Sequence, residues 1–169
     1  MKESRIKGFR NRLLQAAARI APGAESLRVQ LHRWRGVQIG KGVWIGYDVL
    51  LETSRPHLIS IGNQVVISMR AMLIAHFRGA TSIKIEDEVF IGPGVIILPN
   101  VVIGHGSVVT AGSVVSASVP PMCVVQGNPA RVVATTGVTL VGNASMDEFL
   151  RALKPLKPAG ASAARSRRN

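Results

Sequence analysis

The stretch Val89-Phe90-Ile91-Gly92-Pro93-Gly94-Val95-Ile96-Ile97-Leu98-Pro99-Asn100-Val101-Val102-Ile103-Gly104 sets the rhythm of this chain. An aliphatic residue returns every sixth position, at Ile91, Ile97 and Ile103. A second apolar residue stands two places before each, at Val89, Val95 and Val101, and Gly92 and Gly104 follow two of the beats. Downstream the beat continues at Val109 and Val115, preceded by Ser107 and Ser113. Upstream it runs back through Ile85, Leu73, Ile67, Ile61, Leu51, Ile45 and Ile39, each with a small or apolar residue two places earlier. A period of six fits neither the helical 3.6 nor a long run of plain alternation.

Each hexad can form a short extended segment followed by a turn. The aliphatic and the residue two places earlier then project to the same side, because side chains alternate along a strand. Three hexads close a coil of about eighteen residues, and coils stack at roughly 4.8 Å through parallel backbone hydrogen bonds. The expected fold is all-β: a parallel β-helix of hexapeptide repeats over 37–121, with an N-terminal helix and a short C-terminal helix. Glycine at the corners suits positive φ or a crowded backbone. The beat breaks twice. From Leu51 to Ile61 it is too long, which predicts a bulge near Arg55, Pro56 and His57. From Leu73 to Ile85 the spacing keeps register, although Gly79 stands where an aliphatic belongs. Pro120 and Pro121 remove two donors in succession and should end the coil. Residues 122–134 then read as one extended segment.

Residues 1–36 read as a basic amphipathic helix and lead-in. Ile6, Phe9, Leu13, Leu14, Ala17 and Ile20 recur at helical spacing among Lys2, Arg5, Lys7, Arg10, Arg12 and Arg19, and Pro22-Gly23 ends the helix. Two readings are open: this helix covers the open end of the coil, or it lies on an anionic membrane surface. His32, Arg33, Trp34 and Arg35 cluster in the lead-in, where one Trp is too little for a nucleic-acid stacking platform. Residues 122–153 form a C-terminal extended segment and short helix, the latter opened by the capping box Ser145-Met146-Asp147-Glu148. Residues 154–169 read as a disordered basic tail.

The 169 residues allow one domain of ordinary size, and 47% apolar with 4% aromatic residues suits a core of stacked Val and Ile. The net charge of +12 crowds into the first 36 residues and the tail, which favours anionic surfaces, coenzyme phosphates or acidic polysaccharide over nucleic acid. The lone Cys123 fits a reducing compartment. No apolar run is long enough to span a membrane and no signal peptide is evident, so the expected location is cytoplasmic, with a peripheral place at the inner membrane face as a second expectation.

The run from Val89 to Gly104, then Ala111-Gly112-Ser113-Val114-Val115, Val119-Pro120-Pro121 and Gly127-Asn128-Pro129-Ala130-Arg131, resembles the hexapeptide-repeat O-acetyltransferases, in particular the maltose, galactoside and nodulation-factor branch and its polysaccharide-modifying relatives. The resemblance covers roughly residues 37 to 135, and Gly-Asn-Pro-Ala-Arg is its most specific part. It implies a left-handed coil, a homotrimer, acetyl-CoA as acyl donor, no metal, and a sugar or polysaccharide-precursor hydroxyl as acceptor. It assigns His76, just upstream of Ile83-Lys84-Ile85-Glu86-Asp87, as the catalytic base. Imidazole suits the task because its ordinary pKa of about 6.5 leaves a neutral base at pH 7. The coenzyme groove would comprise Pro93, Gly94, Ala111, Gly112, Ser116 and Arg131. In two places this chain departs from the pattern: Ser116-Ala117 stands where Thr-Lys is common, so a phosphate-binding lysine is missing, and Phe90 replaces the usual Trp.

Plainer readings stand beside these. His76 is otherwise an ordinary turn histidine, and the glycines and Ala111 are small corner residues. His105 is a surface residue, His57 a candidate for the acceptor site, and His32 structural or exposed. Cys123 has no histidine near it in sequence and is read as a small hydrophobe. A γ-type metal hydratase needs three converging His ligands, and His57, His76 and His105 fall at different places in the coil frame. Apolar residues on outward faces, Val66, Met69, Met72, Ile74, Ile96 and Val102, permit trimer contacts. A catalytically silent scaffold is the rival from another class.

Overall fold

The computed structural model describes residues 5–76 and 81–156, with side chains from residue 8 onward. Four coils of three short strands follow one another: β1 (Gln38–Ile39), β2 (Trp44–Ile45) and β3 (Leu50–Leu51); β4 (Ile59–Ile61), β5 (Val66–Ile67) and β6 (Met72–Leu73); β7 (Ile83–Ile85), β8 (Phe90–Ile91) and β9 (Ile96–Ile97); β10 (Val102–Ile103), β11 (Val108–Val109) and β12 (Val114–Val115). They stack into three parallel faces, β1-β4-β7-β10, β2-β5-β8-β11 and β3-β6-β9-β12. The hexad aliphatics from Ile45 to Val115 and the residues two places before them are buried, so the six-residue beat fills the prism as expected. Ser107 and Ser113 take the place of aliphatics in the last coil, where they bond the segment that follows it. Ser107 Oγ donates to Pro120 O and accepts from Cys123 N; Ser113 Oγ accepts from Gly127 N.

Register explains both breaks in the beat. Ile85 pairs with Ile103, a coil of 18 residues. Ile39 pairs with Ile61, however, and Ile61 with Ile85, giving coils of 22 and 24 residues. In both long coils the added chain length falls at the same corner, between the third and first faces. One insertion forms a 3-10 turn at Pro56–Leu58. The other falls between Ala75 and Ile83; Phe77 and Gly79, where the hexad beat predicts a wall position without its aliphatic, lie outside the described residues. Glycines serve the stack in two ways. A Cβ on Gly92 would come within 2.7 Å of Ala111 N in the next turn, so crowding excludes a side chain; at Gly94 (φ 67°) and Gly112 (φ 67°) the backbone is left-handed and the space is open.

The first coil would leave its outward carbonyls bare, as any sheet edge does. Helix α2 (Leu27–Arg35) closes it with an arginine at each face. Arg33 Nη2 donates to Gly40 O at 2.6 Å and Ile39 O at 3.1 Å, Arg28 Nη1 to Ile45 O at 2.6 Å, and Arg35 Nη2 to Leu51 O at 3.0 Å and Glu52 O at 2.6 Å. Helix α1 (Arg5–Ile20) lies over α2 and adds Gln15, whose Nε2 donates to Val49 O at 3.0 Å. The need to cap carbonyls decides which side of α1 turns inward. Gly8, Asn11, Gln15 and Ala18 are buried, while Phe9, Leu13 and Ile20 are exposed. The apolar stripe of this helix therefore points away from the coil, the reverse of an ordinary core-facing helix.

His32 is fully buried under this cap, with Nδ1 2.9 Å from Arg35 Nη1. Burial, and then the Arg35 cation, push its imidazole down to about 3. The unfolded chain therefore binds the extra proton between about pH 6.5 and that value. The stability this group allows above about pH 6.5 drains away as pH falls. Unfolding experiments at pH 7 and pH 5 are expected to differ by about 2 kcal/mol from His32 alone. His32→Gln should flatten that slope whatever it does to absolute stability. An identical slope in both proteins would refute the assignment.

Past the fourth coil, the prolines sit at a corner and do not end the stack. β13 (Cys123–Gly127) pairs in parallel with β11, so the second face gains one more strand. The expected single extended segment is instead a hairpin: β14 (Ala130–Thr135) returns antiparallel to β13 across a turn at Asn128-Pro129. The capping box of Ser145 and Glu148 opens α3 (Met146–Ala152), which buries Phe149 beside Val108 and Val124 on the second face. The next residues depart from the disordered reading: β15 (Lys154–Pro155) pairs with β14. The tail from residue 157 lies outside the described residues. The outward apolar residues also do not share a face. Val66 lies on the second, Val102 on the first, and Met72 and Ile96 on the third, in a half-buried ladder with Leu50 and Val114.

Candidate active site

His76 follows β6 at the corner where the coil turns from third face to first. Ala75 is buried, and the His76 side chain is 49% exposed. Its Nδ1 is 2.6 Å from Oε2 of Glu52, a carboxylate only 2% exposed. Glu52 follows β3 at the same corner, one coil earlier. Four donors hold it: Ser54 N at 2.8 Å and Arg55 N at 3.3 Å to Oε1, and Ala75 N at 3.1 Å and the imidazole to Oε2. Burial pushes this carboxyl up, but the hydrogen bonds from His76, Ser54, Arg55 and Ala75 together outweigh it and hold it below the usual carboxylate range. An ionised Glu52 accepts a proton bond from Nδ1–H, which fixes the tautomer and leaves the lone pair on Nε2. Such an imidazole can take a proton from a hydroxyl.

Sequence reading missed Glu52. Its one trace in the sequence was position: it opens the first long break in the beat as His76 stands in the second, and both breaks fall at one corner. His57 lies at that corner too, exposed in the 3-10 turn, so the expectation that His57 and His76 occupy different places in the frame is corrected. His105 sits at another corner, exposed, its backbone N donating to Glu86 Oε2. Among the described residues, no three His, Cys, Asp or Glu side chains gather as a metal set. Cys123 is buried, and burial pushes its thiol up, away from the thiolate.

The other edge of the third face, where the chain arrives from the second, carries four of the expected groove residues. Pro93 and Gly94 stack beneath Ala111 and Gly112, tied by Gly112 N to Pro93 O at 2.9 Å. All four are exposed. The hairpin turn lies above them, with Arg131 exposed on β14 and its Nη1 bonded to Ala130 O. Ser116 is on the opposite edge, above His76 by two coils, with exposed Ala117 beside it. Within one chain, therefore, the third face separates His76 from Pro93, Gly94, Ala111 and Gly112.

Residues 82–117 match the family model described as bacterial transferase hexapeptide (six repeats). A search by sequence among curated proteins finds no significant match. Solved structures do match. A hexapeptide-repeat-containing acetyltransferase from Vibrio cholerae is 27% identical over 77% of this chain and 90% of its own, with a TM-score of 0.60. Its complex with acetyl coenzyme A matches at 26% identity over 77% of this chain and 87% of its own, with a TM-score of 0.63. Soybean serine acetyltransferase, in complex with serine, is 32% identical over 76% of this chain but 58% of its own, with a TM-score of 0.52. A polySia-specific acetyltransferase is 28% identical over 66% of this chain and 56% of its own, with a TM-score of 0.55. In the repeat that builds its core and in the coil that repeat forms, the chain resembles the hexapeptide-repeat acetyltransferases.

Proposed function

We propose that this chain is an acyltransferase that moves an acetyl group from acetyl-CoA to a sugar hydroxyl. The Glu52–His76 pair carries the reading: a buried, ionised carboxylate fixing a half-exposed imidazole at the one corner where both coil insertions meet. His76 Nε2 takes the acceptor's hydroxyl proton as its oxygen attacks the thioester carbonyl. The tetrahedral intermediate collapses with cleavage of the C–S bond, and the imidazolium returns the proton to the leaving thiolate. Transfer is direct, with no acyl-enzyme. Glu52 is a positioning residue, and its charge favours the imidazolium formed midway.

A trimer suits this chemistry. The half-buried ladder Leu50, Met72, Ile96 and Val114 leaves the third face open to a neighbour. If three such faces pack around one axis, the His76 edge of one protomer meets the Pro93–Gly112 edge of the next. Gly94 and Gly112, with open space where a Cβ would point, let a pantetheine arm approach the backbone. Ser116 and Arg131 would contact the coenzyme further along, Arg131 through its guanidinium. A cytoplasmic setting follows, because the donor is found there. A sugar is preferred over serine as acceptor on the maltose-type sequence motifs and the polySia-specific relative.

Thiol release from acetyl-CoA with a panel of sugars, and with serine, tests the reading. Sugar-dependent release is expected. A protein that neither binds acetyl-CoA nor releases thiol would instead be a scaffold. Glu52→Gln should lower kcat on the order of 10²-fold or more with KM for acetyl-CoA unchanged, and Glu52→Asp should restore part of it. An equal rise in KM would make Glu52 a general structural residue and remove it from the mechanism.

A further inference from the structure

We propose that the outward face of α1 docks the protein on an anionic lipid bilayer. At 3.6 residues per turn, Phe9, Leu13, Ala16 and Ile20 fall on one line of the helix. Phe9 is 71%, Leu13 60% and Ile20 80% exposed. Arg10 borders this line on one side and Arg12 on the other, beside Arg19, which is held by Asp48 at 2.6 Å, and the helix itself contains no Asp or Glu. The opposite side of α1 is already committed, with Gln15 capping the first coil and Ala18 packed against Ala21 and Leu31. So the apolar stripe cannot roll inward, and it has no partner among the described residues.

Charge selects the occupant. A second copy meeting this stripe across a twofold axis would set the flanking arginines of one chain against those of the other. A bilayer with anionic headgroups takes the apolar side chains at the acyl boundary and pairs the Arg10 and Arg12 guanidiniums with phosphate. Lys2 and Lys7 extend the same charge in sequence. The inference does not need acetyl transfer. Where the chain is a cyclic trimer, symmetry sets three equivalent stripes at one level along the axis, so all three can meet one surface.

The test is sedimentation of the full chain with vesicles of phosphatidylcholine alone and with phosphatidylglycerol added. Binding is expected only to the mixed vesicles, weakening as salt rises. Phe9→Ser with Leu13→Ser should lose at least about tenfold in binding. Both side chains are exposed, so thermal unfolding and thiol release should be unchanged. A second variant, Arg10→Glu with Arg12→Glu, should also lose binding. Equal binding to neutral vesicles, no binding at all, or undiminished binding by both variants would overturn the proposal. A change in assembly mass by light scattering in the Phe9/Leu13 variant would also overturn it, by making the stripe an interface between copies.

Discussion

His76→Ala is expected to lower kcat for acetyl transfer by about 10²- to 10⁴-fold, the range a positioned general base contributes. KM for acetyl-CoA should barely move, because Pro93, Gly94, Ala111 and Gly112, four of the six expected coenzyme residues, lie on the far edge of the third face. The fold should survive, since the imidazole is half exposed and, among the described residues, makes one hydrogen bond, to Glu52. Steady-state thiol release with the best sugar acceptor measures this, with thermal unfolding as the control. A variant that retains full turnover would leave the corner chemistry without its base. The reading would then pass to the scaffold alternative if acetyl-CoA binding were absent as well.

Arg35→Leu is expected to cost about 3 kcal/mol or more of unfolding free energy, seen as a fall of roughly 10 °C in Tm for a chain of this size. Arg35 is 3% exposed, and its guanidinium serves Gln15 Oε1, His32 Nδ1, Leu51 O and Glu52 O at once. Removing it leaves several buried acceptors bare, and leucine cannot satisfy one of them. Burial draws its pKa down to about 10 while the Glu52 charge opposes this, so it remains cationic at neutral pH. Because it holds the Glu52 carbonyl, the variant should also lose turnover well below its melting temperature. A Tm within about 2 °C of wild type would show that the cap carries no such share of stability.

These two residues sit at opposite ends of legibility. His76 stood out in the sequence by its place before a recognisable block. Arg35 looked like one cation in a cluster, and that cluster suggested anionic surfaces. In the fold, Arg28, Arg33 and Arg35 instead cap the three faces of the first coil. Glu52 was invisible as a partner because 24 residues separate it from His76, and only a stacked coil of non-standard length makes them neighbours. For α1 the periodicity revealed an apolar stripe but not its direction, because what the coil end requires is hydrogen-bond donors and not apolar area.

By itself the sequence determined the prism. A beat of six with β-branched aliphatics has one way to bury every second residue, so interior positions from Ile45 to Val115 could be read directly. The tertiary structure alone decided everything that depends on how coils and ends meet: that both long breaks fall at one corner, that the prolines permit one more strand, that the Gly-Asn-Pro-Ala-Arg segment turns back as a hairpin, and which side of α1 faces in. A local repeat carries information about its own period. Register between coils and the unmet carbonyls of the first one are long-range quantities, fixed only when the stack closes.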